Sequence, residues 1–66
     1  MNIGQSLKTL RELNNLTQTE LANKTSIKQQ NISRWELNIH TPNIEDCVKL
    51  ADFYGITLDE LVDRIK

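Results

Sequence analysis

Residues 17–37 read TQTELANKTSIKQQNISRWEL, and this stretch decides the fold. Thr17-Gln18-Thr19-Glu20 has the form of a capping box: the Thr hydroxyl accepts from the third backbone N–H, and the Glu carboxylate reaches back to the cap residue. A helix therefore opens at Thr17 and turns Leu21 and Ala22 inward. It stops near Thr25 and Ser26, about two turns later. A short turn over residues 25–28 follows. From Gln29 to about Leu37 the pattern is again amphipathic. Ile32 and Trp35, three apart, share the inner face, while Gln29, Gln30, Ser33 and Arg34 lie on the polar side. Two short helices joined by a tight turn, the second with a polar outer face, are the elements of a helix-turn-helix.

The flanks extend the same logic. Ile3, Leu7, Leu10 and Asn14 keep helical spacing from about residue 2 to residue 14, with Lys8, Arg11 and Glu12 between them. Asn14-Asn15 is a fitting stop, since Asn tolerates a left-handed backbone. After the loop Ile39-His40-Thr41-Pro42, Asn43 caps a fourth helix. Glu45 and Asp46 stand in its first turn, where negative charge suits the macrodipole. Ile44, Cys47, Leu50, Ala51 and Tyr54 form its expected buried stripe, and Gly55 ends it. Thr57-Leu58-Asp59-Glu60 is a second capping box. It opens a fifth helix, residues 57–65, with Leu58, Leu61, Val62 and Ile65 apolar. No strand signal appears, so the reading is all-α: one domain, residues 1–66, built as a five-helix orthogonal bundle.

Composition narrows the function. With 66 residues, 38% of them hydrophobic, there is material for a single core. A cofactor cavity would compete for the same few apolar side chains. Cys47 is the only cysteine, so no internal disulfide forms, and no Cys/His cluster suggests zinc. Neither a constellation of base, nucleophile and metal ligands nor a small-molecule site is evident, and no enzyme, cofactor or metal is expected. No run approaches the ~20 apolar residues of a membrane span, no signal peptide opens the chain, and Asn2 breaks the myristoylation pattern. A reduced, cytoplasmic setting is the expectation. Taken alone, the net charge of −1 argues against nucleic acid, but it is an average. Residues 1–43 carry five Lys/Arg against three Glu, a net of +2, and residues 44–66 carry three against six Asp/Glu, a net of −3.

The polar face at residues 29–34 has a chemical use. A helix enters the DNA major groove only if its outward residues are polar and of modest bulk. Gln pairs bidentately with adenine N6/N7, and Arg with guanine O6/N7. Gln29, Gln30 and Arg34 are spaced to reach successive base pairs, and Lys28, just before them, suits a phosphate.

At this point the chain resembles the Cro/cI-repressor-like helix-turn-helix family, also called the XRE family. The resemblance covers about residues 3–62. It rests on Ile3-Gly4, Leu7, Leu10-Arg11, Leu16 to Ala22, Ile32 to Glu36, Thr41-Pro42, Leu50-Ala51, Gly55-Ile56 and Leu58 to Leu61, an ordered set that is specific at this spacing. It implies a lambda-repressor-like fold and double-stranded DNA as partner. By resemblance, Gln18 contacts a phosphate and braces the first residue of the recognition helix. Gln29, Gln30 and Arg34 read bases. Thr17, Lys28, Asn31 and Ser33, with Asn38, His40, Thr41 and Asn43 of the following loop, meet or support the backbone. Arg11 and Glu36 form a structural ion pair.

The chain also departs from the family pattern. Ser26 stands where Gly usually supplies a positive φ, Thr25 stands for Leu, Lys28 replaces a capping Ser/Thr, and Asn38 replaces a common Gly. Trp35 is assigned to the core rather than to base stacking, Cys47 to the core rather than to catalysis, His40 to the surface, and the acidic pairs at 45–46 and 59–60 to helix starts. Leu58, Leu61, Val62 and Ile65, with Phe53, are the expected homodimer surface. The expected function is transcriptional regulation, with repression as the simplest mode, on a palindromic operator. The alternative is an antitoxin-type or protein-interaction module on the same fold.

Overall fold

The computed structural model describes residues 2–65, with side chains through residue 64. It has five helices: α1 (Ile3–Leu13), α2 (Gln18–Thr25), α3 (Gln29–Glu36), α4 (Ile44–Tyr54) and α5 (Leu58–Ile65). The described residues contain no strand. Expected boundaries and observed ones agree within a residue or two, because four of the five helix starts, all but that of α3, carry a capping side chain. Asn2 accepts from the Gln5 N–H at 2.8 Å. Asn43 accepts from the Asp46 N–H at 2.9 Å. Both capping boxes close: Thr17 Oγ1 accepts from the Glu20 N–H at 3.1 Å, and the Thr17 N–H donates to Glu20 Oε1 at 2.9 Å. That backbone donor holds the Glu20 carboxyl below its ordinary pKa. Thr57 and Glu60 repeat the pattern at 3.1 and 3.3 Å.

The core gathers one stripe from each helix. Leu7, Leu10, Leu21, Ala22, Ile32, Trp35, Cys47, Leu50, Ala51 and Leu61 are buried in one cluster. Ile32, Leu50 and Leu61 have at most 1% of their surface exposed. Against this cluster α3 packs on α1 and α2, while α4 packs on α2 and α5, and α5 returns to α1. Trp35 is therefore a core residue, as its spacing from Ile32 indicated. Cys47 is buried as well, and burial pushes its thiol pKa up, which suits a small hydrophobe and not a nucleophile.

Four positions depart from the sequence reading. Ile44 belongs to no buried stripe: it stands at the first turn of α4, 65% exposed. Leu61 is fully buried and cannot serve a dimer surface, because the core consumes it. Leu58 packs partly against the same cluster, so of the expected surface Phe53 and Val62 are left outward, 36% and 41% exposed. The side chain of Ile65 lies outside the described residues. Ile27, in the turn, was not singled out, yet it is buried and plugs the core between α2 and α3.

Candidate nucleic-acid interface

Helix α3 is held from three sides. Its inner residues, Ile32 and Trp35, anchor it apolarly. Its C-terminal end is clamped by charge. The Arg11 guanidinium meets Glu36 with two parallel bonds, Nε to Oε2 at 2.8 Å and Nη2 to Oε1 at 2.9 Å. Both side chains are almost wholly removed from solvent. A third guanidinium bond, Nη1 to the Leu16 carbonyl at 2.7 Å, reaches the segment before α2. Burial alone would raise the Glu36 carboxyl pKa, but the bonds from Arg11 and Gln18 outweigh it and hold it below the usual range. The hydrogen bonds that Arg11 donates to Glu36 are in turn the chief cause raising the pKa of Arg11. Half-buried Tyr54 lies near the pair, and burial pushes its phenol up to about 12. This bidentate lock is the ion pair that the resemblance implied, and it fixes α3 to α1.

Gln18 joins the lock. Its amide donates to Glu36 Oε1 at 3.0 Å. The brace therefore runs from the first residue of α2 to the last residue of α3, not to Gln29 at its start. It ties both helices of the motif to one carboxylate.

The third hold is backbone against backbone. A methyl group on Gly4 would lie 2.5 Å from the Trp35 carbonyl oxygen and 2.6 Å from that of Glu36. Only glycine lets α1 approach α3 this closely. The Gly4 N–H donates to Asn38 Oδ1 at 2.9 Å, and Asn38 Nδ2 donates to Asn2 Oδ1 at 2.9 Å. Asn38 itself has φ +60°, the left-handed conformation that ends α3. The residue assigned by resemblance to the phosphate loop thus engages its amide in bonds to Gly4 and Asn2. It takes the backbone role of the usual glycine and adds a clamp that glycine cannot supply.

The turn between α2 and α3 answers the question that Ser26 raised. Ser26 caps α2 with φ +61° and ψ +21°, so the chain keeps the left-handed turn and accepts the strain. Lys28 precedes α3 with no side-chain capping bond, as expected from its chemistry. The first N–H groups of α3 are consequently open at the helix end, beside a cation.

With α3 fixed, its outer face is fully presented. Gln29, Gln30 and Arg34 are exposed, and with half-buried Ser33 they line one shallow polar groove. A neighbouring groove brings together Asn31, Arg34, His40, Thr41 and Asn43, beside Trp35 and Asp46. The loop after α3 therefore does converge with the recognition face. A third groove lies between α2 and α3, where Lys28 and Gln29 meet Thr19, Asn23 and Ser26. Thr19 and Asn23, which the sequence reading did not assign to the site, line this groove. Their i, i+4 spacing on α2, on the flank opposite Leu21, is the signal that would have found them. Thr17 uses its oxygen as a cap acceptor from the Glu20 N–H, and its hydroxyl is also bonded to the Glu20 carboxylate.

Comparison with known proteins agrees with this geometry. A family model described as helix-turn-helix matches residues 7–61. The transcriptional activator BcrR of Enterococcus faecalis is 36% identical over 62 residues, which is 94% of this chain and 30% of that protein. An uncharacterised HTH-type transcriptional regulator of Methanocaldococcus jannaschii is 34% identical over 55 residues, 83% of each chain. The cryptic phage CTXphi transcriptional repressor RstR of Vibrio cholerae is 33% identical over 64 residues, 97% of this chain and 57% of that protein. The chain thus spans between about a third and three fifths of two of these relatives. No solved structure matches it significantly. Five helices without a strand among the described residues, the locked motif at 17–37 and these matches lead to one identification: the chain belongs to the helix-turn-helix family of the XRE, or Cro/cI-like, type.

Proposed function

We propose that this protein is a sequence-specific, double-stranded DNA-binding regulator of transcription, not an enzyme. The observation that carries the reading is the exposed polar stripe of Gln29, Gln30, Ser33 and Arg34 on a helix whose other face is locked into the core. Gln29, Gln30 and Arg34 read base edges, while Thr17, Lys28, Asn31, His40, Thr41 and Asn43 position the domain on phosphates. Gln18 and Asn38 act from behind, as positioning residues. Relatives named as regulators, one an activator and one a repressor, support regulation as such. Repression by occupying a promoter needs no contact with polymerase and is the simpler mode. A homodimer on a palindromic site would set two recognition helices about 34 Å apart, one turn of B-DNA.

The charge distribution makes the reading demanding. A net of −1 supplies little non-specific attraction, so affinity must come from base contacts, helix ends and a few cations. Selection from random duplexes tests it, and is expected to return a short two-fold symmetric site. On that site Gln29→Ala costs about 1–3 kcal/mol and relaxes one base preference. Failure to enrich any duplex, with no salt-dependent binding, would favour the protein-interaction module instead.

A further inference from the structure

The outer stripe of α3 runs on past its polar residues. With Gln30 as the origin and a helical step of about 100° per residue, Arg34 stands about 40° to one side, Ser33 about 60° to the other, and Leu37 about 20° from the line. The Leu37 N–H still donates to the Ser33 carbonyl at 3.0 Å, so residue 37 keeps the helical register. Its side chain is 66% exposed and belongs neither to the core nor to the apolar residues packed against it. A large aliphatic side chain therefore stands in line with Gln30 and Arg34, one turn beyond Ser33. We propose that Leu37 is a specificity-determining residue that reads the 5-methyl group of a thymine in the major groove. The proposal deepens the DNA-binding reading above and rests on it.

The occupant follows from chemistry and reach. Among the groups that base pairs show in the major groove, the thymine methyl is the apolar one. The others are donors and acceptors, which an aliphatic side chain would desolvate without bonding. The groove walls carry phosphates, which offer leucine nothing. Leu37 lies three residues beyond Arg34, about 4.5 Å along the helix axis, against a base-pair rise of about 3.4 Å. On a helix lying along the groove it comes level with the pair next to the one that Arg34 meets.

The contact is held ready by the ties at the end of α3. Asn38, the next residue, is bonded to Gly4 and Asn2 through its side chain. The Asn38 N–H donates to the Trp35 carbonyl at 3.0 Å, and the Ile39 N–H to that of Arg34 at 2.9 Å. The backbone around Leu37 is thus ordered before DNA arrives, and little of it has to be fixed on binding. Ile39 is the other large apolar side chain here, 61% exposed. It follows the left-handed Asn38, off the helix, and has no place in the stripe.

The selected duplex tests the assignment, with each thymine replaced in turn by deoxyuridine. That exchange removes one methyl group and keeps every hydrogen-bonding group of the base pair. The wild-type chain is expected to lose about fourfold in affinity at one position, the worth of one buried methyl, a step beyond the pair whose preference Arg34→Ala relaxes. Leu37→Ala binds the thymine duplex at least as weakly as the wild-type chain binds the deoxyuridine one, and no longer distinguishes the two. Leu37→Met keeps the distinction. The position is exposed, so these variants fold, which circular dichroism checks; a merely structural role would weaken binding to both duplexes alike. Methyl dependence at no position, methyl dependence unchanged in Leu37→Ala, or methyl dependence lost in Ile39→Ala instead would each overturn the assignment and leave the DNA reading standing. A chain that enriches no duplex at all would overturn that reading, and this proposal with it.

Discussion

Two turns in this molecule do the same job with different chemistry. Between α4 and α5, Gly55 takes the left-handed conformation at φ +69°, and a complete capping box from Thr57 and Glu60 opens the next helix. Between α2 and α3, Ser26 takes the same conformation at φ +61°, and Lys28 opens the next helix uncapped. Locally, the first turn is the more stable design. The contrast extends along the chain: the three non-glycine residues with positive φ among the described residues, Asn15, Ser26 and Asn38, sit before, within and after the helix-turn-helix. The recognition half carries backbone strain and compensates with long-range polar ties; the acidic half relaxes its backbone and relies on apolar packing around Leu50 and Leu61. Strain at a functional segment persists only where the surroundings over-determine it, and here the surroundings are named bonds.

Removing those bonds is the most severe way to break the comparison. Glu36→Ala leaves the Arg11 guanidinium buried without its carboxylate and is expected to cost about 3–5 kcal/mol. That approaches the whole stability of a domain this size, roughly 3–10 kcal/mol. Thermal unfolding checks it, and hydrogen exchange is expected to show α3 opening first. Acid acts on the same group. Because the folded carboxyl titrates below its ordinary 4.5, its contribution is present above that value and is lost as pH falls through the lowered one. Glu36→Gln, with no proton to take up, flattens the acid limb of the stability curve.

Next comes Gly4→Ala. In a helix, alanine is ordinarily the better residue by up to ~1 kcal/mol. Here the new methyl meets two backbone carbonyls that have no room to retreat. A net loss of about 1–3 kcal/mol is expected, with a change in DNA affinity as α3 is pushed off α1. Chemical denaturation measures the first and duplex titration the second.

The two turns themselves permit a mirror-image test. Ser26→Gly relieves a left-handed serine and is expected to stabilise by up to ~1 kcal/mol, whereas Gly55→Ala imposes the same strain and destabilises by about as much. Equal signs in melting experiments would mean that the two turns are not equivalent.

What was legible beforehand follows the same divide. Capping boxes, helical spacing and the Arg11–Glu36 pair are local signals or a resemblance carried by residue type, and they gave the elements and the lock. The exposure of Ile44 and the burial of Leu61 were not legible. Both lie on apolar positions of amphipathic helices, and which side of an apolar stripe meets the core depends on how α4 and α5 cross their neighbours. Nor was Asn38 legible. Its side chain reaches residues 2 and 4, 36 and 34 positions away, and no local pattern announces such a bond. Gln18 was half legible: its brace was foreseen, but the partner is Glu36, because Glu36 offers a charged acceptor already fixed in place by Arg11.

The smallest expected effect separates stability from function most sharply. Lys28 occupies a cap position that Ser or Thr would fill with a bond to an α3 backbone N–H. Lys28→Thr is therefore expected to stabilise the fold by about 0.5–1 kcal/mol. The same change removes a cation beside the open helix end and, on the reading proposed above, one phosphate contact. Affinity should then fall about equally on every duplex, and the dependence of log affinity on log salt should become shallower by about one. A variant that melts higher and binds weaker, without altered base preference, would place the uncapped helix start on the side of function. One that binds as well as the parent would leave the missing cap as strain without a use, and the distinction between the two turns would reduce to the glycine alone.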